Sequence, residues 1–151
     1  MSDGAWCHYC QKNPCQCEDS MIDPLLLHPN LCYLATAHSS SPYGLDEAFK
    51  AAALIAGDLL KRHKVNVYSP ICHTHPMAEY ANLPHADHNL WLPFDELMMT
   101  RCDVLLVATC MVGWDVSRGV DHEITYFGNA GKPIFHVAYA NGEYSFKRVI
   151  A

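Results

Sequence analysis

Residues 103–110 read Asp-Val-Leu-Leu-Val-Ala-Thr-Cys, and between Val104 and Ala108 there is no polar side chain to turn toward water. A strand of this kind has to be covered on both faces, the situation of a central strand in a parallel sheet. The rest of the chain supplies what such a sheet needs. Residues 31–36 form a short apolar run, and residues 65–68 form another that stops at Ser69-Pro70. Between them, Phe49, Ala52, Ala53, Ile55, Ala56, Leu59 and Leu60 recur at three and four, the period of an amphipathic helix over residues 45–63. A second helix is predicted over 90–101 and a third over 120–129, closed by Ala130-Gly131. Strands are predicted at 133–138 and, after the Asn141-Gly142 turn, at 143–150. Residues 71–89, dense in His and Pro, read as a long irregular segment.

This alternation of strand and helix predicts an α/β fold, a doubly wound, mainly parallel five-stranded sheet of the flavodoxin/Rossmann type. Ligands of such sheets bind beyond the carboxyl ends of the strands. The polar loops after Thr36, Tyr68 and Cys110 all fall at that edge, which locates the site from element order alone.

Composition narrows the function classes. The 151 residues suit one domain, here residues 31–151, preceded by a Cys-rich extension and linker over residues 1–30. No apolar run approaches the ~18 residues of a membrane helix, and a leader with basic and apolar regions is not evident at the start. A cytoplasmic location is expected, with no membrane partner. The net charge of −6, without a block of Lys or Arg, argues against a duplex nucleic acid partner. A small-molecule ligand is the expectation.

Four of the eight cysteines, Cys7, Cys10, Cys15 and Cys17, are spaced C-x2-C-x4-C-x-C. Four thiolates suit a closed tetrahedral Zn²⁺ site that would order a segment too short to have its own core. His8 or His28 is an alternative fourth ligand, and disulfides are the alternative in an oxidising compartment. Cys32 and Cys110 sit in apolar runs and read as small buried residues.

Two loops carry candidate chemistry. Gly113-Trp-Asp-Val-Ser-Arg-Gly-Val-Asp-His-Glu123 opens a helix with backbone N–H groups, Ser117, Arg118 and Gly119, an arrangement suited to a phosphate. Glu123 lies on the first turn of that helix. It is either a nucleophile or stabiliser of a cationic transition state, or an acid that merely complements the helix dipole. Asp95, on the preceding helix, would complete an acid/base and nucleophile pair, while Glu96 reads as an exposed helix residue. Ser39 belongs to a hydroxyl-rich loop at the same edge. His73-Thr-His75 and His85-x2-His88 invite a metal reading, but without a catalytic-metal spacing, so His73 and His75 are expected to line the pocket as hydrogen-bonding groups.

Together these pieces resemble the nucleoside 2-deoxyribosyltransferase superfamily over about residues 31–138. The resemblance is carried by Tyr33-Leu-Ala35 with its Ser-rich loop, Ser69-Pro-Ile71, Trp91 with Asp95, Cys102-Asp103, Ser117-Arg-Gly-Val-x2-Glu123 and Gly131-Lys-Pro133. The strings S-P-I-x-H-x-H-P and G-W-x-x-S-R-G-V-x-x-E are similar to a branch found in bacteria and phages. The resemblance implies a flavodoxin-like fold and cleavage of an N-glycosidic bond, with no redox cofactor. It implies that Glu123 attacks C1′, that Asp95 assists proton transfer or orients the sugar, and that Tyr33 positions the nucleophile. Ser117 and Gly119 match positions that hold the phosphate in 5′-monophosphate N-glycosidases, and Arg118 adds charge there. Trp91 is carried over as a substrate contact. The sequence departs in its Cys cluster and in a first loop, residues 38–43, that lacks an Arg.

The expectation is therefore a hydrolase splitting a nucleoside or deoxynucleoside 5′-monophosphate. The alternatives are a transferase that passes the glycosyl unit to another base, and a non-catalytic nucleotide sensor. Relatives imply a homodimer or higher homo-oligomer, for which Trp91, Phe94, Met98 and Met99 are candidate surface residues.

Overall fold

The computed structural model describes residues 22–150. Cys7, Cys10, Cys15 and Cys17, with the zinc reading placed on them, lie outside the described residues.

Five strands form one open sheet: β1 (Cys32–Ala35), β2 (Val67–Tyr68), β3 (Val104–Ala108), β4 (Ile134–Ala140) and β5 (Glu143–Ile150). Their order is β2-β1-β3-β4-β5, with β1 to β4 parallel and β5 antiparallel to β4. Cys32 pairs with Val104 on one side and Val67 on the other, which places β1 and β3 in the middle. Every residue of both strands is buried, as the unbroken apolar run requires. The final hairpin turns through Asn141 (φ 54°) and Gly142 (φ 77°), the two positive φ values that an Asn-Gly turn tolerates best.

Helices cover both faces. On one side α1 (Leu45–His63) lays Ala48, Ala52, Ile55 and Leu59 toward the sheet, and its core contains Leu34, Leu106, Phe135 and Val137. On the other side α3 (His88–Arg101) and α4 (Arg118–Asn129) bury Met99, Val120 and Phe127 against Tyr33, Ala35, Leu105 and Val107. Met99, a candidate for a dimer surface on sequence grounds, is thus a core residue, and Met98 packs partly against the same cluster. Lys132 ties this layer together. Its ammonium donates to the carbonyls of Met99 (3.0 Å), Thr100 (3.1 Å) and Cys102 (2.7 Å), satisfying orphan acceptors at the end of α3.

Two readings are corrected. Residues 71–89 are mostly helical: α2 spans Pro70–Ala81. Ser69 caps it by accepting from Cys72 N–H (3.2 Å), Pro70 occupies the first turn, and Asn82 closes it in the left-handed region. Its buried positions, Pro70, Thr74, His75 and Ala78, have helical spacing but little hydrophobicity, and Pro76 lies within the helix, so the apolar period was absent. Residues ahead of β1 also pack on the domain. Residues Pro24–Leu26 form a 3₁₀ turn with Leu26 wholly buried, and Ile22 and Leu25 pack on the same core. Cys110 is exposed, because β3 ends at Ala108 and the chain has turned outward by then. Cys32 and Cys102 are buried, and desolvation raises their thiols to about 12 and about 11, far from reactive thiolates.

Candidate active site

The loops that follow β1, β2 and β3 meet beyond the carboxyl edge of the sheet and enclose a cleft of about 790 Å³. The β1 and β3 loops are clasped together by Ser40, whose hydroxyl donates to Gly113 O (2.9 Å). Gly113 is required there: its φ is +93°, and a Cβ would lie 2.5 Å from the Ser40 carbonyl oxygen.

At the floor, Tyr33 donates its hydroxyl to Glu123 Oε1 at 2.9 Å, linking β1 to α4 across 90 residues of sequence. Tyr33 is fully buried, with its ring between Tyr68 and Phe127 (centroids 5.7 and 5.8 Å), so the donor is fixed. Desolvation, with the charge of Glu123 behind it, raises the phenol well above its usual range and keeps it protonated. Glu123 is half-buried and borders the cleft. Burial pushes its carboxyl up to about 8; the bond from Tyr33 pulls down and the charge of Asp95 pushes up.

Asp95 lines the same cleft from α3. Burial raises it to about 6, opposed by His122, and its Oδ1 is buried with no partner among the described residues. His122 in turn pairs with Glu96 (3.2 Å), so Glu96 is half-buried and bridges α3 to α4. Thr36, at the end of β1, also lines the cleft and holds a buried hydroxyl with no partner among the described residues. These unpaired atoms are the ones a polar ligand would satisfy.

The rim is the start of α4. Ser117 caps it by accepting from Val120 N–H at 3.3 Å. Helix geometry leaves the N–H groups of Arg118 and Gly119 without intrahelical acceptors, and both residues line the cleft. Asp121 lines it too, and its charge works against an anion at that point.

The cleft therefore brings together Ser39, Trp91, Asp95, Ser117, Arg118, Gly119 and Glu123, with Tyr33 directly behind. Trp91 is held by its indole N–H donating to Pro84 O (2.8 Å). His73 is not among them. It is exposed on α2 and stacks on Phe94 (centroids 5.2 Å), on a different face from His75. His75 is buried beneath the cleft wall, bonded to His38 (3.0 Å) and Asp46 (3.1 Å) and stacked on Phe49. Sequence reasoning missed Thr36, His38, His85 and His122 as cleft residues. For His85 the signal was the His85-x2-His88 string, both of whose histidines line the cleft, and for His38 it was the polar loop after Thr36. For Thr36 and His122 only the fold supplies it.

A family model described as a domain of unknown function, DUF1937, matches residues 30–139. The chain belongs to the DUF1937 family. The matched stretch contains every cleft residue named above. No curated protein matches this DUF1937 chain. Among its described residues no helix is long and apolar enough to cross a membrane.

Proposed function

We propose that this DUF1937 chain is an N-glycosidase that splits the base–sugar bond of a nucleoside or deoxynucleoside 5′-monophosphate, on a flavodoxin-like fold of the deoxyribosyltransferase type. The observation that carries the reading is Glu123 held by a buried tyrosine at the floor of a cleft that also holds Asp95 and ends at a helix N-terminus. The strand order 2-1-3-4-5 supports the fold assignment, and the motif resemblance over residues 31–138 supports the chemistry.

In this reading the phosphate sits at the rim, on the N–H groups of Arg118 and Gly119 and the Arg118 guanidinium. The sugar then lies over Glu123. As the C1′–N bond breaks, its electron pair leaves with the base nitrogen, and protonated Asp95 donates a proton to the base. The Glu123 carboxylate stabilises the positive charge at C1′ or bonds to it. Water then attacks C1′ and gives its proton to the Asp95 carboxylate, releasing sugar phosphate and restoring ionised Glu123 and protonated Asp95. Tyr33 keeps Glu123 aimed throughout and disperses its charge.

The test is a chromatographic and mass-spectrometric screen for free base. Ribo- and deoxyribonucleosides and their 5′-monophosphates are offered with and without a second base, beside Glu123→Ala. Release from a monophosphate without acceptor, lost in the variant, is the expected result. Release only with a second base would replace the hydrolase by a transferase, and binding without release in both proteins would leave a sensor.

The homo-oligomer expected from the resemblance is supported by Leu90, Phe94 and Leu97, which stay 42%, 37% and 51% exposed at helical spacing along α3. Leu97→Glu is expected to shift the mass measured by light scattering toward the monomer. An unchanged mass would remove this stripe from the interface.

A further inference from the structure

In the wall of the cleft, three histidines from three separate segments converge. His38 follows β1, His75 is in the middle of α2, and His85 lies in the turn between α2 and α3. One ligating atom from each lies within 4.8 Å of the others, and His38 Nε2 and His75 Nδ1 are 3.0 Å apart. Three imidazole nitrogens around a tetrahedral Zn²⁺ at 2.0–2.1 Å are about 3.4 Å apart, so the rings need to shift by little more than an ångström at their widest pair. We propose that His38, His75 and His85 form a binding site for a divalent transition-metal ion of the Zn²⁺ class, with its fourth position open to the cleft.

The far side of the triad is what separates a ligand set from a chance cluster of rings. His75 Nε2 faces Asp46 Oδ1 at 3.1 Å, and His85 Nε2 faces Glu79 Oε1 at 2.7 Å. A carboxylate on the outer nitrogen makes that nitrogen the N–H donor, which leaves the inner Nδ1 of each ring as a lone pair. For His85 this Nδ1 is buried and has no hydrogen-bond partner among the described residues. A buried basic nitrogen in that condition costs free energy until something fills the gap. In the metal-free arrangement His38 Nε2–H donates to His75 Nδ1. Metal binding moves that hydrogen to His38 Nδ1 and frees Nε2 to ligate, with no change in the charge of the ring.

The surroundings of the triad point the same way. Asp46 and Glu79 also flank His75 on its outer side. They are mostly exposed, at 77% and 52%, and suit the supporting role better than ligation in the cleft. His38 and His85 line the cleft while His75 is sealed behind them, so an open metal position would face the space where a ligand sits. Among the described residues the cleft wall has a single Arg and no Lys, and a dication there would offer an oxygen-rich ligand a second positive anchor. The site is independent of the glycosidase reading, since metal uptake is measured without substrate.

The test uses the full chain, stripped by chelator and titrated with Zn²⁺ by calorimetry. A parallel protein carries Cys7→Ser, Cys10→Ser, Cys15→Ser and Cys17→Ser, so that thiolates do not compete. That variant is expected to bind one Zn²⁺. His38→Ala or His85→Ala should weaken binding at least 100-fold, and Glu79→Gln about tenfold, the scale for a partner of a ligating imidazole. Co²⁺ in the same protein should give visible ligand-field bands without thiolate charge transfer. If the Cys variant does not fold, the wild-type chain is compared with His38→Ala and His85→Ala, and each should take up one ion fewer. Zn²⁺ uptake that neither histidine change affects, or no uptake by a Cys variant with a native circular dichroism spectrum, would overturn the assignment.

Discussion

Glu123 should make the protein less stable as the pH rises, and replacing it by an uncharged isostere should remove that cost. Its carboxyl is held up at about 8 in the folded state, chiefly by burial, against 4.5 for an ordinary Glu. A carboxyl whose folded value is raised binds its proton more tightly in the native state. The native state is therefore favoured most below the unfolded value, and the advantage disappears as pH rises through the folded one. Between pH 5 and pH 8.5 the linkage amounts to roughly 4 kcal/mol at 1.36 kcal/mol per unit, and about half that if water in the cleft offsets part of the desolvation. Glu123→Gln cannot ionise, yet its amide oxygen can still accept from Tyr33. Urea denaturation of both proteins at pH 5, 7 and 8.5 measures the difference. The variant should match the wild type within about 1 kcal/mol at pH 5 and exceed it by 2–4 kcal/mol at pH 8.5. A difference that stays constant with pH would refute the claim that Glu123 is held in a desolvating site. Asp95, raised to about 6, adds a smaller loss between about pH 4 and 6 that both proteins share.

The same two groups set the pH dependence of base release. The reactive form has Asp95 protonated and Glu123 ionised, so kcat/KM should be bell-shaped, with limbs near 6 and 8 and a maximum near pH 7; a profile flat from pH 5 to 9 would remove both carboxyls from the chemistry. Because the two values lie in the order opposite to the roles, the reactive form is the minor one of the two singly protonated states. Asp95→Asn should therefore flatten the basic limb as well as slow the reaction. Gly113→Ala, strained by φ +93° and by the Ser40 oxygen at 2.5 Å, should cost about 2 kcal/mol and lower Tm by about 4–8 °C; an unchanged melting curve would mean that the clasp between the two loops yields freely. Lys132→Met leaves three carbonyls at the end of α3 without their shared donor and should cost about 1–2 kcal/mol in urea denaturation, an effect that would be absent if water replaced the ammonium at no cost.

Much of the scaffold was legible because it depends on local pattern. Val104 to Ala108 had no polar residue, so β3 had to be central. Ala48, Ala52, Ile55 and Leu59 repeat at helical spacing, so α1 had to lie on a face of the sheet. Asn141-Gly142 specified its own turn. What the pattern hid was α2, where the helix is defined by Ser69 and Asn82 at its ends rather than by an apolar stripe. The hydroxyl-rich loop and the Ser117-Arg118-Gly119 entry to α4 were readable as cleft material from element order. The Tyr33–Glu123 bond came from resemblance rather than from spacing, because a contact between residues 90 apart in sequence leaves no local trace. The joining of His38, His75 and His85 had no sequence signature for the same reason. His73 and His75 looked equivalent in the string, but two residues along a helix turn a side chain by about 200°, and α2 sends them to different faces.

The central claim is that Glu123 is the group that meets C1′. It is tested most directly by timing base release from a 5′-monophosphate substrate with wild type and Glu123→Gln, at pH 7 and at equal occupancy of the cleft. The account predicts release by the wild type and a loss of at least about a thousandfold in the variant, whose amide can neither bond to C1′ nor balance its charge. Comparable rates in the two proteins would contradict it.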